Sequence, residues 1–371
     1  MLAFRRIGWG ILISVALTAC RPGVTVTPTL EPTAMPGIES VPNVDVAVLI
    51  RINSPEDVEQ KRIELLEFIF GQPRLPEEMP EVDSYTPDEV TDWLMKPYQG
   101  FDVTVLTVRM PHGLVSNMVL VESDRRNNSL ILYHTGHGGL TELDKKNTRK
   151  LAKEGFDLLI LYMPLVGLNR PNSGNNPGTA FQTECCGSVQ LGVHQHLSWT
   201  EEPLSYFLKP VAVGLNYADT RGYENYIMIG FSGGGWTTTV YTALDTRIAA
   251  SFPVAGSIPL WMRIPGAEYE EGDFEVLYLE LYDIANYLEL YVMGAYGEGR
   301  YQDQILNFYD PCCFGGDRAE YYVPAVQGRL EELGAGKFTL WIDHRTMGHA
   351  LGENGYNHIL HILENEEELT P

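Results

Sequence analysis

The chain has 371 residues, 44% of them hydrophobic, enough apolar material for one large domain or two and too much for global disorder. Its formal charge of −23 disfavours nucleic acid and polyanionic substrates as partners and is accounted for by solubility outside a cell.

The first residues, "MLAFRRIGWGILISVALTAC", carry two arginines, then a run of about ten apolar residues, then Leu17-Thr18-Ala19-Cys20. A positive start followed by a short apolar stretch marks an export signal; a membrane span takes about 20 apolar residues. No later run is long enough to span a bilayer. The ending "LTAC" resembles a bacterial lipobox, in which the cysteine is lipidated and becomes the mature N-terminus. Residues 1–19 are then a lipoprotein signal peptide, and Cys20 anchors the exported chain to a membrane at the cell envelope or surface. An ordinary signal peptide cut nearby, with Cys20 incidental, is the alternative. Losing residues 1–19 removes Arg5 and Arg6 and no acid, which takes the charge from −23 to −25. Residues 20–44 are rich in Pro and Thr, lack any period, and read as an extended tether to a folded domain over 45–371.

In chain order, "SPEDVEQKRIELLEFIF" (54–70) opens with a serine cap, Pro55 at the first helical position and Asp57 three residues after the cap, which predicts a helix. "FDVTVLTVRM" and "LVSNMVLVES" alternate around a Pro/Gly turn and predict an antiparallel hairpin. "SLILYHTGHGG" predicts an apolar strand running into a glycine-rich loop. Helix and strand then alternate. "LDKKNTRKLAKEGF" reads as helix, "DLLILYMP" as strand, "EPLSYFLKPVAVGLNYA" as helix, "NYIMIGF" as strand, "GGWTTTVYTALD" as helix and "RIAASFPVAGS" as strand. "QILNFYD" and "KFTLWID" predict two further strands around the helix "AEYYVPAVQGRLEELG", the last strand ending at Asp343. Fully apolar strands alternating with helices predict an α/β chain with a mostly parallel, doubly wound sheet. Two stretches break the rhythm. Residues 165–203 form a long loop dense in Gly, Asn, Pro and His, and residues 260–300 are aromatic-rich, either a helical cap over the sheet edge or a peripheral helix pair.

"GFSGG" (230–234) fits the pattern G-x-S-x-G between a strand and a helix, the context of a sharp turn that exposes a nucleophilic serine, Ser232. Gly233 offers an unencumbered N–H to an oxyanion. A serine hydroxyl needs a base. His349, in "DHRTMGHALGENG", lies on a loop flanked by glycines, and His344, against the strand end, is the competitor. The base needs a carboxylate to fix its tautomer. Asp310, in "QILNFYDPCC", follows the next-to-last strand; Asp317 in "FGGD" is the alternative acid. "YHTGHGG" (133–139) supplies a second oxyanion donor at Gly138 or His137.

With these parts in that order, the chain resembles the α/β-hydrolase superfamily of G-x-S-x-G esterases and lipases over roughly residues 100–371. The resemblance implies acyl-transfer chemistry on a small-molecule ester or acylated substrate, through a Ser-His-Asp triad and with no cofactor. The extra glycine in "SGGGW" and the paired cysteines depart from the simplest family pattern. A peptidase of the prolyl-oligopeptidase type uses the same triad and remains an alternative. So does a hydrolase-fold lipoprotein that only binds ligands.

Cys185-Cys186 and Cys312-Cys313 are adjacent pairs whose spacing does not suit a zinc site. Neighbouring cysteines bridge each other only through a strained ring, so cross-links between the two pairs are expected, tying the 165–203 loop to the loop of Asp310. Four reduced, buried cysteines are the alternative. His194 and His196 form a His-x-His pair without matching acids, and no metal is read from it.

Overall fold

A computed structural model describes residues 41, 44–85, 96–170, 193–263, 272–312 and 314–365. Cys20, Cys185, Cys186 and Cys313 lie outside these residues, as do the expected lipid anchor and the cross-link between the cysteine pairs. No helix among the described residues is long and apolar enough to cross a membrane.

Local chemistry starts the elements where the sequence places them. Ser54 accepts the Asp57 amide, Asp57 accepts the Ser54 amide, and Pro55 fills the first position of α1 (Pro55–Phe70). Gly71 ends that helix at φ 66°, the left-handed conformation a helix stop favours. The hairpin forms from β2 (Asp102–Arg109) and β3 (Val115–Glu122), and a short strand that no motif announced, β1 (Glu81–Tyr85), pairs antiparallel with β2.

After β3 the strands turn parallel. They are β4 (Ser129–His134), β5 (Asp157–Leu161), β6 (Asn225–Phe231), β7 (Ile248–Val254), β8 (Tyr301–Tyr309) and β9 (Lys337–Met347). The nine strands stand in the order β1-β2-β3-β5-β4-β6-β7-β8-β9, with β3 antiparallel to β5 and every later neighbour parallel. β4 and β5 are buried along their whole length, which requires cover on both faces. One layer is a row of α3 (Ser205–Asp219), α4 (Gly233–Leu244), α6 (Tyr287–Ala295) and α7 (Val323–Leu333), each packed on the next, with α1 leaning on α3 and α4. The other is α2 (Glu142–Lys153) and α8 (Glu353–Glu364), joined where the Asn147 amide donates to the Leu351 carbonyl.

Strand order reverses at β4, which lies between β5 and β6. The carboxyl ends at such a reversal open a crevice where open α/β sheets bind ligands. His134, the last residue of β4, is in register with Gly230 of β6, so the glycine-rich loop and the serine turn leave the sheet side by side.

Three segments differ from the sequence reading. β9 continues past Asp343 to Met347, so His349 follows the strand by two residues; the register shift against β8 between Asn307 and Tyr309 accommodates the longer pairing. Within 165–203, residues 171–192 are outside the described part, and Val193–Trp199 is a 3-10 helix. Of residues 260–300, residues 264–271 lie outside the described part. The short α5 (Leu279–Ile284) packs on α1, while α6 is buried throughout and belongs to the layer over the sheet.

Candidate active site

Ser232 joins β6 to α4 with φ 57° and ψ −123°, a backbone region that a residue with a side chain holds only under strain. Its amide donates to the Val254 carbonyl at 2.9 Å, and its own carbonyl accepts the Trp236 amide at 3.1 Å, which starts α4. Little space is left around the turn. A Cβ on Gly230 would run into the Gly234 carbonyl and the Thr238 hydroxyl. The third glycine of the run also has a reason: a Cβ on Gly235 would stand 2.8 Å from the Val254 carbonyl and 3.0 Å from Gly256 Cα. Two glycines bring helix and strand together under Ser232, and the extra one lets α4 rest on the end of β7.

His349 Nε2 lies 2.8 Å from Ser232 Oγ, and Nδ1 lies 2.7 Å from Asp310 Oδ2. An ionised carboxylate can only accept, so Nδ1 carries the ring proton and Nε2 faces the serine hydroxyl with a lone pair. Asp310 is fully buried and its other oxygen accepts the Cys312 amide at 2.8 Å. The His349 ring lies between Phe231, 4.8 Å away, and Phe314, stacked at 6.0 Å. Burial works against charge on His349, but the Asp310 hydrogen bond and negative charge outweigh it and raise the pKa above 6.5.

The loop that carries His349 is held by a residue no motif marks. Asn307, buried in β8, donates its side-chain amide to the Gly348 carbonyl at 3.0 Å and the Ala350 carbonyl at 2.7 Å. Those carbonyls bracket the histidine. A lone polar residue inside a strand gave no signal for this role.

In the glycine-rich loop, Gly136 lies against the serine: a Cβ there would be 2.7 Å from Ser232 Cβ and 3.3 Å from Oγ. A Cβ on Gly138, one of the two expected donor positions in this loop, would meet only the Thr141 methyl. His137 does adjoin the turn, with its Cε1–Nδ1 edge over Gly233. Its Nε2 faces away, 3.1 Å from Glu275 Oε1 and 3.4 Å from Asp273 Oδ2. His194 joins the same group, with Nδ1 3.0 Å from Glu275 Oε2. Burial opposes charge on His137, yet Glu275 and Asp273 push its pKa up to about 9; burial likewise opposes charge on Glu275, and the two histidines hold it below its usual range.

Other candidates stand elsewhere. Asp317 stands at the N-cap position of the 3-10 turn Arg318–Tyr321. His344 is exposed and stacks on Phe308. His196 packs edge-on against Trp199. His134 is buried and bonds the Thr135 carbonyl, and burial pushes its pKa down to about 4.

No protein-family model matches the chain, and no curated protein matches it. Solved structures do. "Methylesterase BT1017" aligns over 85% of this chain at TM-score 0.56 and 16% identity, the match spanning 66% of that protein. "Acetyl xylan esterase from Paenibacillus sp. R4" aligns over 86% of this chain and 98% of its own length at TM-score 0.54 and 12% identity. Acetyl xylan esterase 1 from Thermoanaerobacterium sp. JW/SL YS485 aligns over 89% and 99% at TM-score 0.51 and 12% identity. Identities this low carry the architecture and not the substrate. With its strand order, its turn at Ser232 and these matches, the chain has the α/β-hydrolase fold.

Proposed function

We propose that the protein is a serine hydrolase that cleaves carboxylic esters through an acyl-enzyme. The observation that carries this reading is the unbroken hydrogen-bond chain from Asp310 through His349 to a serine on a strained strand-to-helix turn. Ser232 Oγ attacks the acyl carbon while His349 Nε2 takes its proton. The carbonyl oxygen becomes an oxyanion, received by backbone N–H groups at Gly233 and in the 136–138 loop. His349 passes the proton to the departing alkoxide, and the alcohol leaves. Water, deprotonated by the same nitrogen, then attacks the acyl-serine and frees the acid. Asp310 keeps the ring in the tautomer this needs and stabilises the imidazolium between steps. The neighbours above, a methylesterase and two acetyl xylan esterases, share ester hydrolysis as their class, and that class is what is carried over.

A fluorophosphonate probe tests the reading. Covalent labelling at Ser232, lost in Ser232→Ala and accompanied by turnover of a p-nitrophenyl ester, supports it. A folded protein that neither labels nor turns over any ester of a panel varying in acyl length is a binding protein.

The lipobox-like ending "LTAC" and the tether-like stretch after it support a position at the cell envelope or surface, held by lipid on Cys20. Cys20→Ala then releases the protein from membranes or blocks its processing; a variant that stays membrane-bound at mature size rules the anchor out. Bridges between 185/186 and 312/313 would tie the 165–203 stretch to the Asp310 loop. Peptide mapping without reductant reads them directly.

A further inference from the structure

Beside the serine turn lies a second cluster that the proposed reaction does not use. His137 comes from the loop after β4, His194 from the 3-10 helix Val193–Trp199, and Asp273 and Glu275 from the turn ahead of α5. Three separate loops thus deliver two imidazoles and two carboxylates to one place. The ligating atoms of His137, His194 and Glu275 lie within 4.8 Å of one another.

Protons alone leave this group poorly satisfied. His194 Nε2 is 2.8 Å from the Pro164 carbonyl, which can only accept, so that nitrogen carries a proton. In a neutral ring, Nδ1 then points a lone pair at a carboxylate oxygen 3.0 Å away, a repulsion that either a second ring proton or a bound cation removes. His137 Nε2 is near oxygens of both acids but has no hydrogen bond to either. Glu275 is fully buried, and among the described residues its Oε1 also has no hydrogen-bond partner, nor does Asp273 Oδ1. Buried polar atoms are nearly always satisfied, so a set of three close together calls for a missing partner.

We propose that His137 Nε2, His194 Nδ1 and Glu275 bind a divalent transition-metal ion, zinc by preference, with Asp273 available as a fourth ligand. Two imidazole nitrogens with carboxylate oxygens suit zinc better than calcium or magnesium, which favour shells of oxygen. Bonds of about 2.0–2.1 Å put the edges of a tetrahedral shell at roughly 3.3–3.4 Å. The recorded N–O approaches of 3.0, 3.1 and 3.4 Å are near this. The outer shell is also in place, because a ligating histidine ordinarily gives its second N–H to a carbonyl or carboxylate, as His194 does to Pro164. Two carboxylates with two neutral imidazoles carry two negative charges, which a divalent ion cancels. The ion would clip three loops into one wall of the crevice. By occupying Nε2 it would leave the His137 proton on Nδ1, the edge that faces Gly233.

The test does not depend on hydrolase activity. The full exported chain, purified on a tag without histidines and in the absence of chelator, is analysed for metals by mass spectrometry. Chelator-stripped protein is then titrated with Zn²⁺ in a calorimeter. About one equivalent per chain is expected in the wild type, falling below about a tenth in His194→Gln and in Glu275→Gln, with circular dichroism confirming that both fold. His349→Ala is expected to keep its full equivalent. That control matters because Asp310, Cys312 and His349 also stand close enough to hold an ion. Should the two variants not fold, Co²⁺ added to stripped wild-type protein gives a visible spectrum that reports four-coordinate nitrogen and oxygen ligands. A wild-type protein that holds no metal and shows no binding heat overturns the proposal and leaves the cluster as two imidazolium–carboxylate pairs. Metal kept by both variants, or lost in His349→Ala, overturns it as well.

Discussion

Two polar clusters flank the turn at Ser232, and they are built on opposite plans. In one, each group has its own partner: Asp310 gives one oxygen to His349 and the other to the Cys312 amide, and His349 gives its two nitrogens to Asp310 and Ser232. In the other, His137 and His194 crowd against Asp273 and Glu275, and three atoms among them have no hydrogen bond to any described residue. A chain with one partner per atom has a direction, so a proton can pass between Ser232 and His349 while Asp310 holds the ring in place. A crowded knot has none; it holds position. One touches Ser232 and the other its neighbour Gly233, so the same turn adjoins both clusters.

The largest effect that would break this contrast is loss of the nucleophile. Ser232→Ala is expected to lower ester hydrolysis roughly 10⁴- to 10⁶-fold with the fold unchanged. The measurement is turnover of a p-nitrophenyl ester beside a thermal melt. Turnover near the wild-type rate would move the chemistry away from the directed chain altogether.

Asp310→Asn comes next, at roughly 10⁴-fold in kcat, because the amide can donate to Nδ1 and so favours the wrong tautomer of His349. KM should hardly change. The same substitution at Asp317, which stands at the N-cap position of a 3-10 turn, is expected to leave kcat within about twofold, since surface and cap changes act mainly on stability. Equal losses in the two variants would remove the claim that one acid serves the histidine.

How much of the two plans was legible differs for a physical reason. A directed chain on an α/β sheet needs its members at the ends of successive strands, so they recur in a fixed order along the sequence, and Ser232, Asp310 and His349 were found by that order. The parallel sheet was legible likewise, from apolar strands such as "DLLIL" alternating with helices. A knot is assembled from loops of any length. His137 was noticed for its glycines, His194 was weighed with His196, and Glu275 stood unmarked in an acidic, aromatic stretch. Nothing in spacing joins them. The end of β9 was missed because "DHRTM" looks polar enough for a loop; it is strand because β8 offers it an edge to pair with. Asn307 was invisible since its partners are backbone carbonyls, which have no sequence.

Asn307 sharpens the comparison at smaller scale. Asn307→Ala leaves the carbonyls on either side of His349 without their donor, and a buried group left unsatisfied costs about 1–3 kcal/mol. The loss is expected to fall on kcat by about tenfold, because the histidine loop gains freedom that must be lost again in the transition state. A change confined to melting temperature, with kcat intact, would make Asn307 a stabilising residue and not a positioning one.

The smallest effect is the most direct reading of the directed chain, the acid limb of the pH profile. His349 must be neutral to accept the serine proton, so kcat/KM falls as pH drops through its pKa. Burial lowers that pKa while Asp310, with a smaller push from Cys312, raises it by more, and His137 opposes weakly. The limb should therefore lie above the ordinary imidazole value of about 6.5. The sign for stability runs the other way from that for activity. A histidine whose pKa is raised by folding contributes stability in full below about 6.5 and loses it as pH rises through the folded value. Activity and the histidine's share of stability thus move in opposite directions across one window. In Asp310→Asn the main raising influence disappears while burial remains, so NMR titration of the ring should find the His349 pKa shifted downward. A ring that titrates at the same pH with and without Asp310 would mean that the carboxylate holds the imidazole in place without acting on its charge.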